Sequence, residues 1–223
     1  MKYLTKLKSY LCLKLGESHN HNDVGNFVIY VDGQPAVIDV GGGTYNAKYF
    51  GPDRYTIWNL QSQWHTCPTI NGVQQHAGIK YKANNVSYTS KPGSGTFVAD
   101  LSAAYPKEAA VKSWVRSLVF DGTKDVINMS ETYSLEKVVK PFELNFVTVL
   151  DISYEEKSGE VVLKNDKIKL TMNFDKNLFD VKTDRPPAKD PKIINIWGDR
   201  ITRVTLVSKK QDIEGHHSIT FHI

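Results

Sequence analysis

Short apolar runs separated by turn-forming residues recur along the 223-residue chain, whereas long helical patterns are scarce. The clearest example is the Asp32-Gly33 pair, which lies between the apolar runs 27–31 and 34–39. An Asp-Gly pair in this position is a strong local indication of a tight β-hairpin. Because both runs are nearly continuous in apolar residues, we expect this hairpin to be covered on both faces.

A second hairpin is predicted around Asp121-Gly122, between the alternating run 111–120 and the segment 126–133. Further strands are predicted at 86–89, 95–100, 143–149, 160–163, 168–174, 193–197, 201–207 and 218–222. Regular short strands with turn residues between them are typical of antiparallel sandwiches. The sequence therefore predicts an all-β fold, an antiparallel multi-stranded β-sandwich, with residues 1–223 in a single domain.

The composition argues against two classes of partner. Hydrophobic residues make up 40% of the chain and charged residues 23%, which is ordinary for a soluble globular protein. No apolar run is long enough to cross a bilayer, so no membrane partner is expected. The net charge of +4 is scattered and forms no basic stripe, so we expect no nucleic-acid partner. The oligomeric state is not indicated by the sequence.

The first fifteen residues combine a basic start with the apolar stretch 10–15, which resembles part of a signal peptide. Lys14 interrupts this stretch and no small-residue cleavage site follows, so we interpret it as a strand. The two cysteines, Cys12 and Cys67, are too few for a disulfide framework. We expect them to be small buried residues or free thiols.

A polar cluster, His19-Asn20-His21-Asn22-Asp23, leads directly into the apolar run that begins at Phe27. His19 and His21 are two residues apart, so they would point to the same side of an extended strand. Polar side chains next to a buried strand are costly unless their groups have partners. The cluster is therefore the first candidate for a functional site.

The hairpin register brings a carboxylate toward this cluster. If Asp32-Gly33 is a two-residue turn, Asp39 lies opposite Asn26, at the end of the sheet where His21 is placed. His65 follows an aromatic segment farther along the chain. Two imidazoles and one carboxylate with an open position suit zinc or a similar divalent ion. A buried histidine–aspartate network without any metal remains the alternative interpretation.

Two other patterns are interpreted as structural. Gly41-Gly42-Gly43 lacks the lysine and the following helix of a phosphate-binding loop, so we interpret it as a turn at a strand end. His216 and His217 are adjacent and would point to opposite sides of a strand. We interpret them as surface residues and not as a second metal pair. Trp114 and Trp197 are predicted to anchor the core.

Four segments together resemble the heparinase II/III-like polysaccharide lyases. They are residues 16–27 with the His-Asn-His-Asn sequence, residues 37–45 with Asp-Val-Gly-Gly-Gly, residues 54–66 ending in Trp-His-Thr, and residues 68–72. Their order and approximate spacing agree with the family, and the match is dense from about residue 16 to residue 80. As a set, these motifs are highly specific.

The resemblance implies a β-sandwich that follows an N-terminal helical (α/α) toroid in the parent protein. It implies a zinc site whose ligands fall on His21, Asp39 and His65, with the zinc mainly structural. His65 is preferred over His76 because it lies in the Trp-His-Thr segment. The resemblance also places His19 toward the substrate.

The activity implied by the resemblance is β-elimination at a uronic acid within an acidic polysaccharide. A base removes the C5 proton, the C4 oxygen leaves, and the carboxylate charge must be neutralised. His19 and Tyr55 are the catalytic candidates, and Arg54, Tyr45 and Tyr49 are the substrate-binding ones. Aromatic packing for the tyrosines and a structural salt bridge for Arg54 are the alternatives.

The sequence departs from the family because no helical toroid can be placed on it. We therefore expect a metal-binding lyase module that is catalytically incomplete alone and is completed by an α/α-toroid domain of the parent protein. The alternative is a non-catalytic module that binds acidic polysaccharides. The resemblance implies a periplasmic or secreted parent protein. A metal-dependent hydrolase is less well supported, since no acid or base partner is recognisable.

Overall fold

Strands dominate the computed structural model, which describes residues 20–223 and confirms the predicted antiparallel β-sandwich. Within these residues, the strands form one sheet of eight strands, one of four and a separate two-stranded hairpin. Cys12, His19 and the strand predicted at 10–15 lie outside the described residues.

The large sheet carries most of the strands that the sequence predicts. Its spatial order is β4 (Asn84–Lys91), β5 (Ser94–Asp100), β6 (Val111–Asp121), β7 (Val126–Leu135), β14 (Glu214–His222), β11 (Lys169–Phe174), β10 (Glu160–Lys164) and β9 (Asp151–Glu155). The small sheet has the order β12 (Phe179–Asp184), β13 (Thr202–Ser208), β8 (Glu143–Thr148) and β3 (Pro68–Thr69). The hairpin consists of β1 (Ile29–Val31) and β2 (Gln34–Val37).

Helices are short and lie mainly in the connections. The 3-10 helices are Ala47–Phe50, Arg54–Thr56, Trp58–Leu60, Ser62–Trp64, Ser102–Ala104 and Lys107–Ala109. The α-helix among the described residues is α1 (Pro191–Trp197). Across residues 20–223, no helix has the length and hydrophobicity that spanning a membrane requires.

Strand β7 shows how alternation builds the main core. Its inward residues Ile127, Met129, Glu131, Tyr133 and Leu135 are buried, while the residues between them are exposed or half-buried. Successive side chains of a strand point to opposite faces, so this pattern places every second residue between the two sheets. One of these inward residues is a glutamate, which must therefore find a partner inside the core.

A second, smaller cluster packs on the opposite face of β8. Phe146 belongs to the main core, whereas its neighbour Val147 packs with Trp58, Trp64 and Ile193. The small sheet is therefore covered on both faces, by the large sheet on one side and by the 3-10 helical segments and α1 on the other. This second cluster supports the segments that carry the candidate site.

The Asp32-Gly33 hairpin forms as predicted, with positive φ at both turn residues and Val31 paired with Gln34. Its strands are shorter than expected, and a bulge between Ile29 and Tyr30 shifts the pairing. The register extrapolated from the turn to Asn26 and Asp39 is therefore wrong for the backbone. The Asn26 side chain nevertheless reaches the Asp39 carboxylate.

The strand predicted at 193–197 is wrong, because these residues belong to α1. The Asp190 carboxylate accepts hydrogen bonds from the backbone N–H groups of Lys192 and Ile193, and Pro191 occupies the first helical turn. Gly198 follows the last turn at a positive φ of 72°. These are the residue types that begin and end helices, and they outweigh the apolar run between them.

Three strands of the structure are absent from the sequence prediction, namely β3, β9 and β12. Strand β9 is mostly exposed and lies at the edge of the large sheet, and β12 lies at the edge of the small one. Strand β3 is only two residues long and also lies at a sheet edge, so pairing with the neighbouring strand defines these elements more than their own sequences do.

Candidate metal centre

Three predicted ligands converge in the structure. One ligand atom each from His21, Asp39 and His65 lies within 4.8 Å of the others. The two imidazole ring centroids are 5.2 Å apart, and Nδ1 of His65 lies 3.6 Å from Oδ2 of Asp39. His76, the alternative third ligand, is exposed and does not belong to this group.

The three residues come from irregular segments that backbone hydrogen bonds fix in place. Asn22, next to His21, donates its N–H to the Leu60 carbonyl oxygen at 2.9 Å. Asp39 follows β2, and its Oδ1 accepts the N–H of Gly41 at 2.8 Å. His65 immediately follows the 3-10 helix Ser62–Trp64. Gly41, two residues after Asp39, has a φ of +74°, which lets the backbone turn back to the Asp39 carboxylate.

The Asn26 side chain links two of these segments. Its amide nitrogen donates to Oδ2 of Asp39 at 2.7 Å. Its amide oxygen accepts hydrogen bonds from the backbone N–H and the hydroxyl of Thr66, at 2.9 Å and 2.7 Å. Asn26 therefore orients one candidate ligand and the residue beside another. Outer contacts of this kind commonly orient metal ligands.

His65 is the least satisfied polar side chain of the centre. It is fully buried, and neither ring nitrogen makes a hydrogen bond with any group in residues 20–223. The 3.6 Å separation from Asp39 is too long for a hydrogen bond. A buried imidazole without a partner is costly, and a metal ion would accept its lone pair. Two imidazoles and a carboxylate fit zinc with one open position.

The electrostatics keep one imidazole neutral. Burial lowers the pKa of His21 to about 4, assisted by the neighbouring His65 and Arg54, while Asp39 opposes the shift. At neutral pH, His21 therefore retains a free lone pair for a metal.

The other two groups are coupled. Burial alone would raise the pKa of Asp39, but the adjacent His65 more than offsets it and holds that pKa well below its usual range. Burial would lower the pKa of His65, but Asp39 outweighs it and the pKa is raised. Without a cation the pair favours a protonated imidazole, so a metal would replace that proton.

Arg54 and Tyr55 support the segment that precedes His21. The buried Arg54 guanidinium donates to the carbonyl oxygens of Tyr49 and Asn20, at 2.6 Å and 2.9 Å. The Tyr55 hydroxyl donates to Oδ1 of Asn20 at 3.0 Å. Both side chains therefore hold Asn20, which lies between His19 and His21. Within residues 20–223, Arg54 forms no ion pair with a carboxylate and instead donates to these two carbonyl oxygens.

The remaining two tyrosines differ in exposure. Tyr49 is buried, and its hydroxyl oxygen accepts the N–H of Gly43 at 3.0 Å. Tyr45 is 50% exposed and packs edge-on against Tyr49, with ring centroids 4.9 Å apart. The structure therefore presents Tyr45 to solvent and uses Tyr49 to fix the glycine loop after Asp39.

Sequence reasoning missed a buried ion cluster behind the centre. Arg116 donates from Nε to Oε1 of Glu131 at 2.6 Å, and Nε2 of His217 lies 3.0 Å from Oε2 of the same glutamate. Burial would raise the pKa of Glu131, but Arg116 and His217 lower it to about 2. The prediction that His217 lies on the surface is therefore wrong.

Arg116 also connects this ion cluster to the candidate ligands. Its Nη1 atom donates to the carbonyl oxygens of Gly25 and Thr66, the first at 2.9 Å. Gly25 precedes Asn26, and Thr66 follows His65. One guanidinium therefore ties both segments to the large sheet. The alternation of β6, β7 and β14 was the available sequence signal, since it places Arg116, Glu131 and His217 on inward positions.

Gln75 is a second missed residue. Its side chain bonds both polar groups of the Val24 backbone, accepting from the N–H and donating to the carbonyl oxygen at 2.8 Å each. Asn22 donates its side-chain amide to the Gln75 carbonyl oxygen at 3.1 Å. These bonds fix the segment between His21 and the hairpin. No periodic signal marks Gln75 in the sequence.

Comparisons with known proteins agree with this architecture. The family model "Heparinase II/III-like, C-terminal" matches residues 9–194. Two solved structures from Pedobacter heparinus are similar to the chain, the heparan sulfate lyase HepC and a mutant of it. Their TM-scores are 0.71 and 0.69, with 14% and 15% sequence identity. At this identity, the likeness to these structures shows the fold alone.

The chain is much shorter than those structures. Each alignment covers 97% of this chain and 32% of the solved one, so the chain spans about a third of their length. No curated protein matches the chain. Because the family model extends over most of the sequence, the chain belongs to the heparinase II/III-like C-terminal family.

Proposed function

We propose that this chain is the metal-binding β-sandwich part of a polysaccharide lyase, and that His21, Asp39 and His65 hold a zinc ion. The observation that carries the proposal is the convergence of these three side chains around a fully buried His65 whose ring nitrogens lack hydrogen bonds in residues 20–223. Membership of the heparinase II/III-like family supports the lyase assignment.

His21, Asp39 and His65 would join three irregular segments through a bound zinc ion, so we propose that its role is mainly structural. Its ligands belong to the segment before β1, the segment after β2 and the end of the 3-10 helix Ser62–Trp64. Regular backbone pairing does not join these segments, and a tetrahedral ion can do so while keeping one position open. Metal binding of this kind contributes directly to folding free energy.

The proposed reaction is β-elimination at a uronic acid in an acidic polysaccharide. A base takes the C5 proton, the electron pair forms the C4–C5 double bond, and the C4 oxygen leaves with a proton from an acid. His19 and Tyr55 are the proposed catalytic residues of this chain. Arg54 and Tyr55 fix Asn20, and this contact orients the backbone next to His19.

We also propose that the chain alone is catalytically incomplete. It spans about a third of the similar lyase structures, and an α/α-toroid domain of a periplasmic or secreted parent protein would supply the rest of the cleft. The second candidate is a non-catalytic module that binds acidic polysaccharides. Tyr45 is exposed on the loop that follows Asp39, which favours a role in binding even if this chain performs no chemistry.

Chelation tests the metal. The chain is purified with zinc, its metal content is measured by elemental analysis, and its melting temperature is recorded with and without a chelator. About one zinc per chain and a clear drop in melting temperature on chelation are expected. A chain without bound metal, whose melting curve is unmoved by chelator, would falsify the zinc site.

Ultraviolet absorbance tests the chemistry, because β-elimination creates an unsaturated sugar. The chain is incubated with heparin-like and alginate-like polymers, and binding is measured in parallel. We expect binding without a rise in absorbance. A clear rise would show that the chain is catalytically complete, and the absence of binding to every acidic polymer would contradict both candidate functions.

A further inference from the structure

Two exposed aromatic rings lie side by side near the candidate centre. Phe50 is 70% exposed and Tyr45 is 50% exposed. Their ring centroids are 5.9 Å apart and their planes differ by 25°, so the two faces are nearly parallel. Large aromatic side chains that remain exposed together commonly mark a binding surface.

A cation accompanies this aromatic pair. The ammonium group of the exposed Lys192 lies 5.4 Å from the centroid of the Tyr45 ring. The arrangement is built by tertiary contacts, because Asp190 accepts hydrogen bonds from both the N–H and the hydroxyl of Thr44, at 2.9 Å and 3.1 Å. These bonds pin the loop that carries Tyr45 to the start of the helix that carries Lys192.

The surroundings are positively charged. Residues 182–203 contain six basic and three acidic residues, a local excess within a chain of net charge +4. A cavity of about 360 Å³ borders the same helix, and its charged lining residues are three basic and two acidic ones, Arg185, Lys189, Arg200, Asp190 and Asp199. Cations beside exposed aromatic rings suit an anionic, partly apolar ligand.

The aromatic pair is also connected to the candidate metal centre. Tyr45 packs against Tyr49, whose carbonyl oxygen accepts a hydrogen bond from Arg54. The same guanidinium holds Asn20, next to His21. Two buried side chains, Tyr49 and Arg54, therefore link the exposed rings to the segment next to His21.

We propose that Phe50, Tyr45 and Lys192 form a subsite for a sugar residue of an acidic polysaccharide. The apolar face of a pyranose ring would pack on the aromatic rings, and Lys192 would pair with a carboxylate or sulfate of the same chain. This inference rests on the proposed function, since it assumes that the domain binds acidic polysaccharides. It adds Phe50 and Lys192 to the binding surface and assigns each a distinct part of the ligand.

The test compares Phe50→Ala with Tyr88→Ala in binding to heparin-derived oligosaccharides by calorimetry. Tyr88 is a matched control, because it is 67% exposed and lies on β4, at the edge of the large sheet. Phe50→Ala is expected to weaken binding by about fivefold, the order of one lost aromatic contact. Tyr88→Ala is expected to bind as the unchanged chain does.

The cation is tested by Lys192→Gln, with the exposed Lys91→Gln on β4 as its control. Lys192→Gln is expected to weaken binding by about threefold and to reduce its salt dependence, because one ion pair is lost. A neutral oligosaccharide of similar length is expected to bind at least tenfold more weakly than the acidic one, and equal binding would contradict the anionic class.

Different results would contradict the subsite and the proposed function. If the unchanged chain binds acidic oligosaccharides and both Phe50→Ala and Lys192→Gln bind as tightly, the subsite is wrong and the proposed function stands. If the unchanged chain binds no acidic oligosaccharide, the proposed function is wrong and the subsite with it. All four substitutions are at exposed positions, so folding is expected to be preserved and can be confirmed by circular dichroism.

Discussion

Two clusters in this domain bring a buried histidine together with a carboxylate, and they differ in how well the protein alone satisfies them. In the ion cluster, Nε2 of His217 lies 3.0 Å from Glu131, which also accepts a hydrogen bond from Arg116. In the candidate metal centre, His65 lies 3.6 Å from Asp39, and its ring nitrogens make no hydrogen bond within residues 20–223. The first cluster contains the Arg116 guanidinium, whereas no lysine or arginine of residues 20–223 forms an ion pair with Asp39.

The supporting structure differs in the same way. Arg116, Glu131 and His217 occupy neighbouring positions on three adjacent strands, paired in register across the large sheet. His21, Asp39 and His65 lie on irregular segments that side chains such as Asn26 and Gln75 hold together. Regular strand pairing holds the ion cluster in place without a ligand. The irregular segments lack such pairing, so a cross-linking ion would add most to their stability.

The sharpest test of this contrast applies one substitution to both clusters. His65→Gln is expected to abolish zinc binding. Its loss of zinc affinity should exceed the roughly 100-fold that removing a hydrogen bond to a ligand can cause. His217→Gln removes an imidazole of similar burial and is expected to leave zinc affinity within about twofold, because it lies outside the ligand group. Competition titration against a chromophoric chelator measures both. If both variants lost zinc affinity equally, His65 would not differ from His217 in its role as a zinc ligand.

Arg116→Met tests the ion cluster. It leaves Glu131 buried without its main partner and frees two carbonyl oxygens, so we expect a loss of about 3–5 kcal/mol in the free energy of unfolding. The loss should persist in the presence of a chelator, since it does not depend on zinc. Urea denaturation measures it, with Glu131→Gln as a milder variant if folding fails.

The matched control for that experiment is Arg200→Met, which removes an exposed ion pair with Asp151. Exposed pairs contribute little, so a change below about 1 kcal/mol is expected. If Arg116→Met and Arg200→Met lowered the free energy of unfolding by similar amounts, the buried ion cluster would contribute no more to stability than an exposed ion pair.

Asn26→Ala is expected to lower zinc affinity by about 10- to 100-fold, because it removes the hydrogen bond that orients Asp39. The cobalt(II)-substituted protein provides an independent measurement, since its visible absorption reports ligand geometry. A changed spectrum together with weaker binding supports an orienting role. An unchanged spectrum and affinity would show that Asp39 reaches the metal without Asn26.

The smallest expected effect concerns pH. The raised pKa of His65 means that its proton persists to higher pH than in a free histidine, so zinc must displace it. As pH falls through that pKa, zinc affinity should decrease by about tenfold per pH unit. The second histidine should compete only near pH 4, because burial lowers the pKa of His21 to about 4. If zinc affinity near neutral pH fell by about a hundredfold per pH unit, two protons would be competing with zinc, which would contradict the expectation that only His65 is protonated there.

Sequence patterns identified the strands that have strong alternation and clear turns, such as β6 and β7. They failed at α1, where the apolar residues at 193–197 fit either a strand or a helix and the flanking Asp190 and Gly198 decided the outcome. They also failed at exposed edge strands such as β9, whose formation depends on a neighbour and not on their own composition.

His21, Asp39 and His65 could be chosen as candidate ligands from the sequence. The hairpin register that was expected to bring Asp39 close to His21 did not hold along the whole hairpin. The turn at Asp32-Gly33 fixed the start of the hairpin correctly, and a bulge then broke the register on the way to Asp39. The Asn26 side chain restores the contact that the backbone register does not make. Local sequence sets a turn, whereas a bulge several residues away depends on packing against the rest of the domain.

The all-β class, the Asp32-Gly33 turn and the polar cluster beside the first hairpin follow from local patterns, because alternation, turn chemistry and motif spacing are local properties. Three contacts arise only in the folded domain: His65 lies beside Asp39 without a hydrogen bond within residues 20–223, Arg116 bonds both ligand segments to the large sheet, and Lys192 lies over Tyr45. Each of these contacts joins residues distant in sequence. Their approach is set by the packing of the sheets and by the burial of charge in the core, which no local pattern encodes.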